Sequence, residues 1–170
     1  MRDFLIKKLG LKKLLDKDHL KEFYRSTIDY NDKKLFCYEY YLMEENQIFS
    51  FHRMKSYASW QFCIGNPIDL YLIKNVNEIQ KITIGNDLLK KEKFIYVVEP
   101  NTWFAAESKS SNKCNCSLVM HHIIPSYKED EDEFGVYEKI IKEIPNYENI
   151  AKKFCCTTTK YYYNEKDYLL

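Results

Sequence analysis

Glycine and arginine are scarce in this sequence, and each shortage argues against a class of function. The chain of 170 residues contains four glycines, and none belongs to a glycine-rich loop of the kind that binds phosphate groups. Its 26 basic residues include only three arginines, Arg2, Arg25 and Arg53, whereas proteins that bind phosphates and base edges rely on arginine. Because the net charge is only +1, no overall field attracts nucleic acid either. We therefore expect no nucleic-acid partner.

Long apolar runs are also missing. No segment approaches the ~18 consecutive apolar residues that cross a bilayer. The N-terminal residues 1–8 lack the apolar core and the cleavage site of a secretory signal. These absences predict a cytoplasmic protein with no membrane partner. In a reducing compartment the six cysteines are expected to be free thiols.

The length and composition of the chain fit one folded domain. Hydrophobic residues make up 45% of the sequence and aromatic residues 16%, which is enough to build a core in a chain of this length. We predict a domain over residues 1–155. Residues 156–170 are predicted to form a C-terminal extension, which is expected to be flexible unless its tyrosines dock on another surface.

Short β-type runs, separated by turn signals such as Gly65-Asn66-Pro67, occupy most of the chain between residues 22 and 124. The predicted strands cover residues 22–30, 35–43, 47–54, 59–64, 68–73, 78–84, 93–98, 103–107 and 116–124. Many short strands at this spacing are typical of a sandwich, jelly roll or barrel. Helices are predicted at both ends: an amphipathic segment over residues 3–15 that breaks near Gly10, and two helices over residues 133–143 and 147–154 that flank Pro145.

Strand alternation assigns faces to the side chains around the single histidine of the third predicted strand. One face is expected to carry Ser50, His52 and Met54. The opposite face is expected to carry Phe49, Phe51 and Arg53. On the next strand one face is expected to carry Trp60, Phe62 and Ile64.

The segment from Phe51 to Pro67 resembles the first metal-binding motif of the cupin superfamily, Gly-x5-His-x-His-x3-4-Glu-x6-Gly. That motif falls on Asn46, His52, Met54, Ala58 and Gly65. The second motif, Gly-x5-Pro-x-Gly-x2-His-x3-Asn, falls on Phe94, Pro100, Thr102, Ala105 and Lys109. The spacing is kept better than the residue identities. The resemblance implies a mainly β fold, the cupin-type double-stranded β-helix or jelly-roll barrel, with an N-terminal helix and a C-terminal helical pair.

A closer likeness is to an uncharacterised cupin-like family whose members carry an N-terminal His-Pro-Glu-Gly-Gly element. Leu9-Gly10-Leu11 and the segment 22–26 match the sequences on either side of that element at the same spacing, while residues 14–18 replace the element itself. A second segment of that family is matched, in the same order, by His52, Arg53, Ser56, Trp60, Phe62, Gly65 and Pro67. This resemblance implies a homodimer.

The four cupin ligand positions make a metal centre an unfavourable interpretation. They hold His52, Met54, Ala58 and Ala105, and of these only His52 can bind a hard or borderline metal ion. We therefore expect no metal and no other cofactor. Cys114, Cys116 and the pair His121-His122 offer an alternative zinc site, but on one strand they would spread over ~20 Å, so structural cysteines are favoured.

An aromatic pocket with a few polar groups remains as the candidate site. The resemblance implies that one set of side chains lines or approaches the barrel mouth: Tyr24, His52, Trp60, Phe62 and Trp103. The possible polar partners are Arg25, Ser56 and Gln61. This composition suits a flat or cyclic small ligand. The alternative is that the aromatic residues only fill the barrel and that His52 is a hydrogen-bonded core histidine.

Three functions are compatible with these residues, and they leave open whether the protein is an enzyme. The first is metal-free binding of a small molecule, such as a nucleobase or sugar nucleotide, in the barrel. The second is a metal-independent sugar or sugar-nucleotide isomerase or epimerase, in which His52 and either Tyr24 or Tyr38 transfer protons. The third is a non-catalytic scaffold that binds a protein partner through its helices or its C-terminal extension.

Overall fold

The strand-rich pattern of the sequence is confirmed by a computed structural model, which describes residues 1–16, 21–29, 35–110, 114–126 and 132–156. For residues 13–16 and 21–29 the description covers the backbone alone. The predicted C-terminal extension lies outside the described residues except for Cys156, whose amide donates to the carbonyl of Gly135. Within the described residues, no helix has the length and hydropathy needed to cross a bilayer.

The described residues form eleven strands and three α-helices. The strands are β1 (Lys12–Asp16), β2 (Lys21–Asp29), β3 (Cys37–Glu44), β4 (Ile48–Arg53), β5 (Tyr57–Gly65), β6 (Ile68–Asn75), β7 (Glu78–Ile84), β8 (Ile95–Val98), β9 (Trp103–Ser108), β10 (Cys116–Ile124) and β11 (Glu133–Phe134). The helices are α1 (Arg2–Leu9), α2 (Tyr137–Glu143) and α3 (Glu148–Phe154), with short 3-10 turns at Leu88–Lys90 and Pro145–Tyr147. The nine strands predicted between residues 22 and 124 are confirmed as β2 to β10, within two residues at each end.

The strands form two antiparallel sheets. Sheet A has the order β1-β2-β3-β10-β5-β8, and sheet B has the order β11-β4-β9-β6-β7. The pairs β3–β10, β4–β9, β5–β8 and β6–β7 alternate between the sheets. The chain is therefore one long antiparallel hairpin wound across both sheets, which is the jelly roll expected from the sequence.

Three apolar layers hold these elements together. The barrel interior, between the two sheets, contains residues such as Trp60, Leu70 and Phe104. A second layer lies between the outer face of sheet B and helices α2 and α3, where Phe51 meets Phe154. A third lies between one end of the outer face of sheet A and helix α1. Sheet B is thus apolar on both faces.

The N-terminal helix is shorter than predicted, because it ends at Leu9. Gly10 follows in the left-handed conformation with φ of 61°, which stops the helix. The predicted continuation to residue 15 is wrong: residues 12–16 form β1, which pairs antiparallel with β2. At the other end, Glu133 and Phe134 pair with β4, so that the predicted helix over residues 133–143 begins only at Tyr137.

Gly65 and Gly10 give a matched pair of predictions about backbone strain. Gly65 has φ of 104°, and a Cβ atom there would collide with the backbone carbonyl of Cys116. Gly10 has φ of 61° with open space around it. We expect Gly65→Ala to lower the free energy of unfolding by about 3 kcal/mol and Gly10→Ala by about 1 kcal/mol. Urea denaturation of both variants measures this, and equal losses would contradict it.

Candidate functional site

Five polar or amphipathic side chains meet in the barrel interior, and we call them the interior polar cluster. They are Glu39, Tyr41, His52, Trp60 and His121. None is more than 5% exposed. A buried polar group is costly unless it is hydrogen-bonded, so each member of this cluster requires an explanation of what it binds.

The register of sheet A brings three members of the cluster into one row. Strand β10 lies between β3 and β5, and His121 is paired with Glu39 on one side and with Trp60 on the other. Paired residues in adjacent strands point to the same face, so all three side chains enter the barrel together. The His121 and Trp60 ring centroids are 5.0 Å apart, and His121 Nδ1 lies 3.7 Å from Glu39 Oε2.

His52 enters the same interior from sheet B. Its ring centroid lies 4.0 Å from that of Phe104, and Phe104 also approaches His121 at 6.4 Å. The Nδ1 atom of His52 is 3.0 Å from the carbonyl oxygen of Ser50. Because a carbonyl oxygen only accepts, Nδ1 carries the proton and Nε2 keeps its lone pair. His52 therefore offers an acceptor to any molecule beside Nε2.

The interior keeps His52 uncharged. The pKa of His52 is lowered from 6.5 to about 3, mainly by burial and to a smaller extent by the nearby His121. The hydrogen bond to Ser50 and the carboxylate of Glu39 act in the opposite direction but are smaller. At neutral pH His52 is consequently a neutral imidazole, which can accept a proton or a hydrogen bond but supplies no positive charge.

The row across sheet A contains unpaired polar atoms. Both ring nitrogens of His121 and the Nε1 atom of Trp60 are buried without a hydrogen-bond partner among the described residues. By contrast, the Tyr41 hydroxyl donates to Glu39 Oε2 at 2.7 Å. A donor on Trp60 and a ring on His121 that can both donate and accept, adjacent in one row, are thus left with free hydrogen-bonding capacity inside the barrel.

Aromatic rings surround these polar atoms. Tyr41 stacks on Trp60 with centroids 6.0 Å apart and an interplanar angle of 15°. Phe49 packs edge-on against Trp60 at 5.5 Å and against His52 at 4.5 Å. The surroundings are therefore apolar on the faces of the rings and polar at a few edges, which is the composition typical of sites for planar small molecules.

Several residues predicted from the sequence lie in this interior. His52, Trp60 and Phe62 belong to the barrel interior or its polar cluster, as do the two motif positions Met54 and Ala58. The prediction for Trp103 is wrong. Trp103 and the motif position Ala105 pack in the layer between sheet B and the C-terminal helices, and the guanidinium of Arg53 lies over the Trp103 ring at 4.6 Å.

The predicted polar partners do not gather around His52. Gln61 follows Trp60 on β5 and pairs with Met120, on the outer face of sheet A, so its assignment to the pocket is wrong. Ser56 is buried in the connection between β4 and β5. Tyr24 pairs in register with Leu42, and Arg25 with Tyr41; their side chains lie outside the described residues, and their predicted roles remain predictions.

Two irregularities in the strands change the faces predicted by alternation. The register of β4 against β9 shifts between Phe49 and His52, so one extra residue brings Phe49 to the interior face beside His52. A second shift, in β10 against β5, pairs Ile64 with Leu118 instead of leaving it in line with Phe62. A β-bulge of this kind turns the following side chains to the opposite face.

The tyrosine proposed to act with His52 is also different in the structure. Tyr38 pairs with His122 on the outer face of sheet A, and His52 lies in the interior, so the Tyr38–His52 pair is excluded as a proton-transfer pair. Tyr41 is buried in the interior that His52 and His121 share, and its ring contacts that of His121.

Sequence reasoning missed Glu39, Tyr41 and His121 as members of the site. The available signal was alternation along β3, where Glu39 stands between Cys37 and Tyr41 on the face that becomes interior. The opposite face of that strand is aromatic too, so the pattern did not show which face is buried. His121 was considered only as a zinc ligand with its neighbours.

The donors present do not fit the metal that the cupin motifs usually hold. Of the four motif positions only His52 has a side chain that could bind such a metal, and within the described ranges no three His, Cys, Asp or Glu side chains are placed to share a metal ion. The Sγ atoms of Cys114 and Cys116 lie 3.6 Å apart. Burial and the neighbouring Cys114 raise the pKa of Cys116 to about 12, so that Cys116 is a thiol at neutral pH when no metal is bound.

Comparison with solved structures supports the fold. A hypothetical protein from Leishmania major is 18% identical, with a TM-score of 0.72 over 90% of this chain and 97% of that chain. A protein from Shewanella oneidensis is 21% identical, with a TM-score of 0.73 over 90% and 96%. A cupin 2 conserved barrel domain protein from Rhodopseudomonas palustris is 11% identical, with a TM-score of 0.59 over 86% and 90%. At these identities the likeness shows the fold alone.

Comparison at the sequence level identifies the family. Comparison with curated proteins gives no significant match. A family model described as "Cupin superfamily (DUF985)" matches residues 3–135, which span β1 to β11 and most of the barrel. The chain therefore belongs to this family of the cupin superfamily, and its barrel is a cupin jelly roll.

Proposed function

We propose that the interior polar cluster binds a small planar molecule by hydrogen bonds and ring contacts, without a metal ion. The observation that carries this proposal is the row of unpaired atoms formed by His121 and Trp60 inside the barrel. The proposal retains the first of the three functions predicted from the sequence, the metal-free binding of a small molecule. It places the centre of the site nearer to His121 than to His52.

The free energy of the unpaired atoms supports the proposal. An unsatisfied buried donor or acceptor costs about 1–3 kcal/mol, and most buried polar atoms in natural proteins have a partner in the protein or in bound solvent. A molecule that pairs with the Trp60 N–H and with the His121 ring removes this cost. Its binding therefore gains free energy that the protein alone cannot recover.

The arrangement also limits what the molecule looks like. Trp60 Nε1 can only donate, whereas a neutral histidine ring donates at one nitrogen and accepts at the other. The molecule must therefore present an acceptor and a donor along one edge, and a flat face for the surrounding rings. Nucleobases and related cyclic amides have this pattern, and because His52 is uncharged, it offers no positive charge to a strongly anionic ligand.

Proton transfer is the second candidate, favoured by one specific observation. Tyr41 donates to Glu39 at 2.7 Å, and the rings of Tyr41 and His121 lie 5.7 Å apart, so a base and an acid face the same interior. An isomerase or epimerase acting through His121 and Tyr41 would incorporate deuterium from D2O into its bound molecule. A Tyr41→Phe variant should then bind the molecule but lose this exchange.

Two finer expectations belong to the same proposal. The relationship to members with an N-terminal His-Pro-Glu-Gly-Gly element is supported by the spacing of Leu9-Gly10-Leu11 and residues 22–26. The scaffold function depends mainly on residues 157–170, which lie outside the described residues, and no contact among the described residues favours it.

A thermal-shift screen tests the binding proposal. The probes are nucleobases, nucleosides, sugar nucleotides and monosaccharides at about 1 mM, a concentration at which a ligand of micromolar affinity raises the unfolding temperature by several degrees. We expect at least one probe to stabilise the wild-type protein. His121→Asn should abolish the shift, because it removes the ring that pairs with the ligand edge.

His122→Asn is the matched control for this screen. It makes the same substitution at the adjacent residue, whose side chain lies on the opposite face of β10 and bonds Ser59 at 2.9 Å. The control should keep the full shift. Failure of every probe, or equal shifts in the wild type and both variants, would count against a ligand at the interior polar cluster.

A further inference from the structure

Two cysteine side chains are in contact where β10 begins. The Sγ atoms of Cys114 and Cys116 lie 3.6 Å apart, and both residues are free thiols. Residues two positions apart on an extended strand are separated by roughly 7 Å, but this chain bends at Asn115, which brings the two sulfur atoms together. Because a disulfide bond measures about 2.05 Å, a shift of about 1.5 Å would join them.

Hydrogen bonds from the neighbouring strands hold this bend. The side-chain amide of Asn66 donates to the carbonyl oxygen of Cys114 at 2.7 Å, and its backbone amide donates to the carbonyl oxygen of Cys116 at 3.0 Å. The backbone amide of Glu45 donates to the carbonyl oxygen of Asn115 between them at 3.2 Å. Three successive carbonyl groups are thus bonded, so the backbone that places the two cysteines side by side is fixed by the fold.

The two thiols have different surroundings. Cys114 is partly exposed, and the residue after it, Asn115, is exposed. Cys116 is fully buried in the apolar layer beneath α1, together with Leu42 and Leu118. A reagent in solution therefore reaches Cys114 before Cys116.

The hydrogen bonds within the pair also favour reaction at Cys114. The backbone N–H of Cys116 donates to the Cys114 sulfur at 3.4 Å, and a donor in this position stabilises a negative charge on that sulfur. Burial and then the neighbouring Cys114, through a hydrogen bond and its charge, raise the pKa of Cys116 to about 12. The positive charge of Arg2 acts in the opposite direction but is outweighed. Cys114 is therefore the sulfur that attacks first.

We propose that Cys114 and Cys116 are a site of reversible oxidation, at which a low-molecular-weight disulfide converts the two thiols into one disulfide bond. The Cys114 thiolate attacks a sulfur of the small disulfide, which releases one small thiol and leaves a mixed disulfide on Cys114. The Cys116 sulfur then loses its proton, attacks the Cys114 sulfur and displaces the second small thiol. The protein gives up two electrons and two protons, and the small disulfide takes up both and becomes two thiols.

The environment of Cys116 changes between these two steps. A mixed disulfide on Cys114 carries no charge, so the influence of Cys114 that raises the pKa of Cys116 is removed once the first step is complete. The final disulfide closes a ring around the single residue Asn115, and such a short ring is readily reduced again. The pair is thus a dithiol under reducing conditions and a disulfide when small disulfides accumulate. This inference is independent of the proposed ligand site.

Mass spectrometry of the full chain after treatment with oxidised glutathione at about 1 mM tests the proposal. Trypsin releases a fragment of residues 114–128, which contains these two cysteines and no other. After the remaining thiols are alkylated with iodoacetamide, we expect this fragment of the wild type to be unalkylated and lighter by two hydrogen atoms than its dithiol form. Treatment with dithiothreitol should restore alkylation at both cysteines.

Three serine variants test the order of the two steps. Cys116→Ser should stop at the first step and retain glutathione on Cys114, whereas Cys114→Ser should leave the buried Cys116 unmodified. Cys63→Ser is the matched control. Cys63 is a half-buried thiol of the same layer, and its sulfur lies 3.9 Å from the carbonyl oxygen of Gln61, so this variant should form the disulfide like the wild type.

The wild-type fragment is decisive by itself, because it requires no substitution that could impair folding. A wild-type fragment that is alkylated at both cysteines after treatment would overturn the proposal. Glutathione that remains on Cys114 without a disulfide to Cys116 would also overturn it, as would a disulfide between Cys114 and any other cysteine.

Discussion

Lowering the pH from 6.5 to 3 is expected to destabilise the wild-type protein by about 4 kcal/mol more than a His52→Asn variant. These two pH values are the pKa of His52 in the unfolded and in the folded chain. Asparagine keeps a donor near the position of Nδ1, which binds the Ser50 carbonyl, and it removes the group that titrates.

The direction of this effect follows from proton binding. The folded-state pKa of His52 lies below its unfolded value because burial disfavours the charged ring. Between the two values the unfolded chain binds more protons than the folded one, so the contribution of His52 is fully present above pH 6.5 and is lost as the pH falls toward 3. Carboxylates contribute in every variant, so the difference between proteins is the quantity to measure.

Urea denaturation at a series of pH values provides that difference. His52→Asn is also expected to lower stability at neutral pH by about 1–3 kcal/mol, since it leaves a small cavity, but its slope against pH should be shallower. His122→Asn is the control. Burial and His121 lower the pKa of His122 as well, but His122 is partly exposed, so this variant should retain the steep loss at acidic pH. If the free energy of unfolding falls with pH in parallel for the wild type and His52→Asn, the prediction is wrong, because His52 would then be hydrated in the folded protein.

Phe154→Ala is the second variant with a large expected effect, a loss of about 3–5 kcal/mol in the free energy of unfolding. Phe154 is 1% exposed and lies in α3, beyond the residues 3–135 that match the family model. Its ring packs on Phe51 at 5.9 Å and on Tyr71 at 4.9 Å. The C-terminal helices are therefore expected to be part of the folding unit rather than an appendage.

Chemical denaturation followed by tryptophan fluorescence measures this loss, because Trp103 lies in the same layer as Phe154. Phe4→Ala is the matched control: Phe4 is 63% exposed on α1, and its truncation should cost less than about 1 kcal/mol. A double-mutant cycle with Phe51→Ala should show coupling, since the two rings are in contact. A loss for Phe154→Ala no larger than that for Phe4→Ala would contradict the integral role of the helices.

The fold could be predicted from this sequence because its signals are local. Turn residues such as Gly65-Asn66-Pro67 separate the strands, and the order and spacing of the segments around His52 resemble those of cupins. Where the structure differs from the predicted elements, the cause is local and is not visible in the sequence. Pairing with β2 extends residues 12–16 into a strand, and the left-handed Gly10 ends the helix that propensity would continue.

The candidate site was harder to predict because it depends on which face of each strand is buried. Sheet B is apolar on both faces, since α2 and α3 cover the outside. The alternation of apolar and polar residues therefore could not show which of Trp103 and Phe104 points into the barrel. The bulge in β4 moves Phe49 to the interior against the period of two. Glu39 and His121 are far apart in the sequence and meet only through the register of β3 and β10, which no single strand reveals.

Several aromatic residues that were expected to contact a ligand serve the packing of the barrel as well. Trp60 is fully buried and contacts Tyr41, Phe49 and His121 by ring edges or faces. The alternative interpretation of a filled barrel with a core histidine therefore explains the rings and His52. It does not explain why the ring nitrogens of His121 and the Nε1 atom of Trp60 lack hydrogen-bond partners among the described residues.

A crystal structure of the protein as purified, at a resolution that distinguishes water from an organic molecule, tests the central claim most directly. The account predicts a planar molecule within hydrogen-bond distance of His121 and of Trp60 Nε1, on the same side as His52. Water molecules alone at those atoms, or rings of neighbouring side chains closed over them without any space, would contradict it.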